Sequence, residues 1–213
     1  MRLNVIGATT DYLDLLDYRR RVAGMYARAR DNQTDPAARL ARFRRECDEL
    51  LRTHPQSALS GGQRARFVGL RHYPYDPSLR FALPLEMDRT PETIDVELRD
   101  DGLLRLRRIG RVRFRVDGQE VSLSVFWIHA YGGGLFLPFR DLTSREATYP
   151  GGRYLLDTIK GADLGAEDSK LVIDFNYAYN PSCAYHPRWD CPLSPPENHL
   201  PVAIRAGEMR FSG

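Results

Sequence analysis

The chain has 213 residues, 42% of them hydrophobic and 28% charged, which is the composition of a globular protein long enough to bury a core. Its 31 Lys and Arg outnumber its 28 Asp and Glu by only three, and no apolar run approaches the ~18 residues that span a membrane. Membrane proteins, disulfide-rich secreted scaffolds and disordered chains are thereby disfavoured, and Met1–Thr10, with one Arg and no apolar core of signal-peptide length, points to the cytoplasm.

Two helices are expected first. From Asp11 to about Arg30, Leu15, Tyr18, Val22 and Met25 recur at three- and four-residue steps and share one helical face. Asp35 can cap a second helix with Pro36 in its first turn; Leu40, Phe43, Cys47, Leu50 and Leu51 form its apolar stripe, and His54-Pro55 ends it. The short connection predicts an antiparallel hairpin. Ser60-Gly61-Gly62 breaks this pattern and strand signals take over. Ile94, Val96 and Leu98 alternate with charged residues, and Asp101-Gly102 and Asp117-Gly118 read as tight turns. Leu104, Leu106, Val112, Phe114 and Val116 keep one parity across Gly110, as one bent strand or two. Val121–Trp127, Leu135–Leu137, Arg153–Ile159, Lys170–Tyr177 and Val202–Arg205 complete the expected strands.

The expected fold is α+β in a single domain, 1–213. A helical hairpin (1–55) packs on a β-rich body (60–213) whose mostly antiparallel sheet curls into a barrel or a sandwich. Asn180–Pro201 differs in kind, with six prolines among Tyr185, Trp189, two cysteines and two histidines. Its aromatic area favours ordering, and proline lowers the entropy lost, so a rigid segment packed across the sheet is expected.

Three groups of residues could carry chemistry. In the proline segment, Cys183, His186, Cys191 and His199 are two thiols and two imidazoles, a set that suits tetrahedral zinc, although the spacing matches no known zinc module. A reduced pair or a disulfide between Cys183 and Cys191 are the alternatives. Metal is not assigned, and Cys183 is kept as a candidate nucleophile. Near Phe139–Thr143 and Thr148–Tyr154, Arg140 and Arg153 could form a fork for a carboxylate or phosphate, with Tyr154 beside them, or tie turns to internal Asp. On the apolar stretch Leu171–Asn176, Asp174 and Asn176 are expected on one strand face; Asp174 must be paired or have its pKa raised there, which makes it a candidate base. Glu197 is a second candidate acid or base, with Asn176, Asn180 and Asn198 as ligand-binding amides. Neither a dinucleotide nor a P-loop fingerprint occurs, and the cofactor is left unknown.

Phe139-Arg140-Asp141-x-Thr143, Thr148-Tyr149-x-x-Gly152-Arg153-Tyr154, Asp174-Phe175-Asn176-x-x-Tyr179-Asn180-Pro181-x-Cys183, Cys191-Pro192-Leu193-x-Pro195-Pro196-Glu197-Asn198 and Ile204-x-Ala206-Gly207-Glu208 form an ordered series. Together they resemble the uncharacterised bacterial family known as domain of unknown function 1684, from the first helix to Glu208. The resemblance implies no activity. It places Cys183, Cys191, Glu197 and Asn198 within the family pattern and His186 and His199 outside it.

The expected function is a small-molecule binder or enzyme with a pocket under the proline segment. Arg140 and Arg153 would orient an anionic or polar ligand there, and Asp174 or Glu197 would move a proton. The alternative is a non-catalytic domain whose polar motifs form an internal hydrogen-bond network. Residues 1–116 carry 23 basic and 16 acidic residues and 117–213 carry 8 and 12, but the basic side is dispersed, so nucleic acid is disfavoured as a partner. No membrane partner is expected, and a homodimer is left open.

Overall fold

The Ala38 N–H donates to the Asp35 carboxylate at 2.8 Å, and Pro36, which has no N–H to satisfy, opens the second helix. This start is seen in a computed structural model that describes residues 9–99, 102–129 and 131–213. The reading of Met1–Ala8 and Asp101 of the Asp101-Gly102 turn lie outside the described residues. Helix α1 (Thr9–Ala29) and α2 (Pro36–Thr53) run antiparallel: Asp17 of α1 meets His54, just past α2, at 3.3 Å, and Arg28 meets Glu46 at 3.0 Å. Their apolar faces close on Met25, Tyr26, Leu40 and Phe43, with Tyr26 edge-on to Phe43 at 4.9 Å. Ser60-Gly61-Gly62, expected only to break the pattern, instead starts a short helix, α3 (Gly61–Arg66). Ser60 and Gln63 cap each other's backbone N–H groups, which offsets the poor helix propensity of two glycines.

The β body holds two antiparallel sheets. Strands β2 (Glu86–Leu98), β3 (Gly102–Val116), β4 (Gln119–Ile128), β5 (Gly134–Phe139) and β6 (Arg153–Asp157) pair in chain order. Strands β1 (Arg80–Leu83), β7 (Ala166–Glu167) and β8 (Lys170–Asp174) form the second sheet, in the order β1-β8-β7. The described ladders do not close on themselves, so the architecture is a sandwich and not a barrel. Phe81, Phe114, Phe139 and Phe175 interlock between the sheets, with Phe81 to Phe114 and Phe139 to Phe175 both at 5.1 Å. Among the described residues no helix is long and apolar enough to cross a membrane.

Gly110 lies within one continuous strand, β3, and the turn that could have divided it is absent there. A Cβ on Gly110 would lie 2.3 Å from the Glu86 carbonyl oxygen, so only glycine permits the close approach of β2. The pairing with β4 slips between Arg108 and Gly110. That bulge separates residues of equal parity: Leu106 lies opposite Ile128, whereas Val112 lies opposite Leu123. Val112, Phe114 and Val116 therefore enter the core between the sheets, and Leu106 joins Phe126, Ile128, Phe136 and Tyr154 in a second cluster on the other face. Both faces of β4 are buried as a result, and the second face supports the proline segment.

Two expected strands end early and a third does not form. Asp157 accepts from Lys160 N–H at 3.3 Å and stops β6, two residues short of Ile159. Asp174 accepts from Asn176 N–H at 2.9 Å and turns the chain into the single-turn helix Phe175–Tyr177. Val202–Arg205 forms no strand, because side chains satisfy its backbone: Ile204 N–H donates to Asp141 at 2.7 Å and the Ile204 carbonyl accepts from Arg153 at 3.0 Å.

Candidate functional site

Helices α1 and α2, the proline segment, Tyr154 of β6 and the tail at Glu208 enclose a cavity of about 210 Å³. Its wall from the hairpin is the predicted apolar face, with Leu15, Tyr18 and Val22 of α1 and Cys47 and Leu50 of α2. The proline segment is ordered and forms the opposite wall. It is tied to the helical side by Trp189 Nε1, which donates to Ala58 O at 2.9 Å, and by Arg188, which donates to Ser57 O at 3.0 Å. On the sheet side the Tyr154 hydroxyl donates to the Pro192 carbonyl, and Arg140 N–H donates to Asn198 O at 2.9 Å.

One corner of the cavity is polar. Glu208 is 2% exposed and accepts from Asn180 Nδ2 at 2.7 Å, from Asn180 N–H at 2.9 Å and from the Tyr185 hydroxyl. Burial pushes its carboxyl up to about 7, although these three donors and the nearby Arg153 pull the other way. The group is therefore poised to hold or release a proton near neutrality. Gly207 carries the tail there in a left-handed turn (φ +73°), and a Cβ at that position would lie 2.6 Å from the carbonyl oxygens of Ala178 and Phe175. Asn180 Nδ2 also donates to Met209 O at 2.9 Å. Two acceptors thus fix the amide, and Asn180 Oδ1 is left buried with no hydrogen-bond partner among the described residues. Tyr179, another lining residue, likewise has a buried hydroxyl with no partner among the described residues.

The predicted site residues do not share this hollow. Tyr154 and Asn180 line it, and Cys183 stands beside it, between the lining residues Ser182 and Tyr185. Arg153 is 1% exposed and cannot form a ligand fork with Arg140. Its guanidinium donates to the carbonyls of Ala206, Ile204 (3.0 Å) and Glu208 (3.2 Å), pairs with Asp141 at 3.3 Å and lies 5.0 Å over the Phe139 ring. Arg140 is half-buried, does not line the cavity, and clamps the proline segment through its backbone. Asn198 is fully buried and closed upon β4 and β5: it accepts from Ser124 N–H at 2.7 Å and donates to Ser124 O at 2.9 Å and Pro138 O at 2.7 Å. It bridges the strands where their ladder has ended and Pro138 has no N–H to offer. Asp174 and Asn176 are not side by side on a strand face. Asp174 caps the turn, and Asn176 exchanges two hydrogen bonds with the backbone of Asp76, at 2.9 and 2.7 Å. Burial raises the Asp174 carboxyl above its ordinary value, against the two hydrogen bonds it accepts from Asn176, and Asp174 does not line this cavity. Glu197 lies at the surface and pairs with Arg108 at 3.4 Å. His186 accepts from Arg188 N–H at 3.1 Å and His199 contacts the Ser194 carbonyl at 3.1 Å, so each imidazole is engaged by local backbone. Among the described residues no group of three or more His, Cys, Asp or Glu is placed to hold a metal.

Glu208 was absent from the residue-level candidates. Its only signal was the terminal Ala206-Gly207-Glu208 of the family pattern, an acid directly after a glycine, which marks a turn that delivers it.

Fold and site together define an α+β protein in which a helical hairpin roofs an open β-sandwich over an aromatic cavity. The family model described as Protein of unknown function (DUF1684) matches residues 65–209, and the chain belongs to that family. The matched stretch begins in α3, later in the chain than the resemblance suggested, so the α1–α2 wall of the cavity precedes it. Among solved structures, the solution NMR structure of an uncharacterised protein from gene locus rrnAC0354 of Haloarcula marismortui is 35% identical, covering 81% of this chain and 92% of that one with a TM-score of 0.58. No curated protein matches the chain.

Proposed function

We propose that this protein binds a small molecule in the cavity beneath the proline segment. The ligand is apolar, of one or two aromatic rings or equivalent bulk, and carries a hydrogen-bond donor at one end. The observation that carries this reading is the polar corner: Asn180 lines a mostly apolar cavity, and its Oδ1 is buried with no hydrogen-bond partner among the described residues. A buried acceptor left unpaired costs about 1–3 kcal/mol, which a ligand donor would recover. The volume of about 210 Å³ exceeds the ~150 Å³ that already admits benzene in an apolar cavity. Glu208, half-protonated near neutrality, supplies a group that can accept or return a proton beside that donor. Three free cysteines suit the reducing cytoplasm as the site of action.

The arginine fork with which an anionic ligand was expected does not reach this cavity, so a donor-bearing apolar ligand replaces it. The non-catalytic alternative draws support from the closed bonding of Arg153, Asn198 and Asn176 described above. Those groups hold the cavity walls and do not fill the cavity, so their role is compatible with binding.

The test is calorimetric titration of the full chain with 2-naphthol, and with 2-methoxynaphthalene, which lacks the donor. Saturable one-to-one binding is expected, at least about fivefold tighter for the alcohol, and abolished by Val22→Trp in a variant whose melting temperature is retained. Equal affinity for the two compounds, or binding indifferent to Val22→Trp, would overturn the reading.

A further inference from the structure

We propose that Cys183 and Cys191 are a redox-active dithiol at the rim of the cavity, with Cys183 the thiol that reacts with a hydroperoxide and Cys191 the thiol that resolves it to a disulfide. The geometry is local and specific. Both cysteines are half-buried, and Cys191 lines the cavity. The Cys183 N–H donates to Cys191 Sγ at 3.4 Å, which brings the second sulfur against the backbone that carries the first. The Tyr149 hydroxyl donates to Cys183 Sγ at 3.5 Å. Cys183 itself sits in the single-turn helix Ser182–Ala184, and Pro187 and Pro192 stiffen the chain that returns to Cys191.

The surroundings divide the labour between the two sulfurs. Donation from Cys191 and then from Tyr149 draws the Cys183 thiol down to about 7, against burial and the nearby Asp190. Cys191 is pushed the other way, first because it is the donor in that pair and then by burial, with Lys160 opposing. Tyr154 is the remaining titratable neighbour, and burial holds it protonated. The Tyr149 donation favours the thiolate on Cys183, the direction in which the two thiols are shifted. The third cysteine differs in its partners and not in its exposure: Cys47, also half-buried, lines the cavity from α2, burial pushes its thiol well up, and it serves as the less reactive internal control.

In the first step the Cys183 thiolate attacks the terminal oxygen of a hydroperoxide. An S–O bond forms, the O–O bond breaks, and the alkoxide or hydroxide leaves with a solvent proton. Sulfur is oxidised to a sulfenic acid and the peroxide is reduced. In the second step Cys191 attacks that sulfur. The S–S bond forms, the S–O bond breaks, and the departing hydroxide takes the Cys191 proton as water. The disulfide then clips the proline segment where Cys191 lines the cavity. A low-molecular-weight thiol reverses it.

The test uses the reduced full chain and hydrogen peroxide at neutral pH, with peptide mapping by mass spectrometry and no cavity ligand, so its outcome is independent of the binding experiment. The expected product is a Cys183–Cys191 cross-link, reversed by dithiothreitol, with Cys47 still free. Cys191→Ser should stop at a sulfenic acid that dimedone traps on Cys183. Cys183→Ser should slow oxidation of Cys191 by at least about tenfold. Tyr149→Phe should move the pH midpoint of Cys183 alkylation by iodoacetamide upward from about 7. Should a variant fail to fold, the wild-type map and alkylation profile decide alone. Independent over-oxidation of the two thiols without a cross-link, or a wild-type Cys183 midpoint at the ordinary thiol value, would overturn the proposal.

Discussion

Arg153 and Glu208 are both charged side chains sealed in the interior, and the Arg153 guanidinium donates to the Glu208 carbonyl at 3.2 Å, yet the two groups do different things. Arg153 meets a counter-ion and three backbone carbonyls, and its bonding is nearly closed. Glu208 also collects donors, but it stands on the wall of the cavity, and burial raises its carboxyl to about 7. A buried charge whose partners all come from its own fold is cement. One that stands on a cavity wall beside an unpartnered amide supports the binding we propose.

The largest expected effect is on the cement. Arg153→Met leaves Asp141 buried without its cation and orphans three carbonyls, and should cost about 3–5 kcal/mol by urea denaturation, enough to deplete the folded protein. Adding Asp141→Leu should return part of that loss. A single variant that unfolds at the wild-type midpoint would erase the contrast drawn here.

Glu208 predicts a pH dependence of the opposite kind from a salt-bridged acid. Its ordinary value is 4.5 and its folded value about 7, so across that window the folded chain holds a proton that the unfolded chain has lost. Stability contributed by this group is full below pH 4.5 and is lost as pH rises to 7, a span of about 3 kcal/mol. Glu208→Gln should remove that slope, seen as a wild-type-minus-variant difference in denaturation free energy that changes between those pH values and is flat above them. A parallel pair of curves would show that burial does not control the group.

Asn198→Ala breaks three hydrogen bonds between the proline segment and two strands and should cost about 1–3 kcal/mol in the same assay. The smallest effect is expected at Glu197, whose surface pair with Arg108 spans 3.4 Å: Glu197→Ala should change stability by less than about 1 kcal/mol. If Glu197→Ala proved as costly as Asn198→Ala, burial would not be what separates these two adjacent residues.

The helical hairpin, the α+β class, the Asp117-Gly118 turn and the order of the proline segment were all legible in the sequence. Period, capping residues and composition act over a few neighbouring positions, and Leu15, Tyr18 and Val22 form one wall because 3.6 residues per turn put them there. The assignment of polar residues to the cavity or to the core was not legible. Asp174 and Asn176 look like two teeth on one strand face until the Asp174 side chain caps the next turn and ends the strand. Leu106 and Val112 share a parity that one bulged residue cancels. Arg153, Asn198 and Glu208 are polar residues in similar-looking motifs. Whether each closes on a carbonyl, stitches a splayed ladder or faces a hollow depends on residues more than 20 positions away that folding alone brings near. Local backbone preference is written along the chain, whereas the satisfaction of a buried charge is a property of the packed whole.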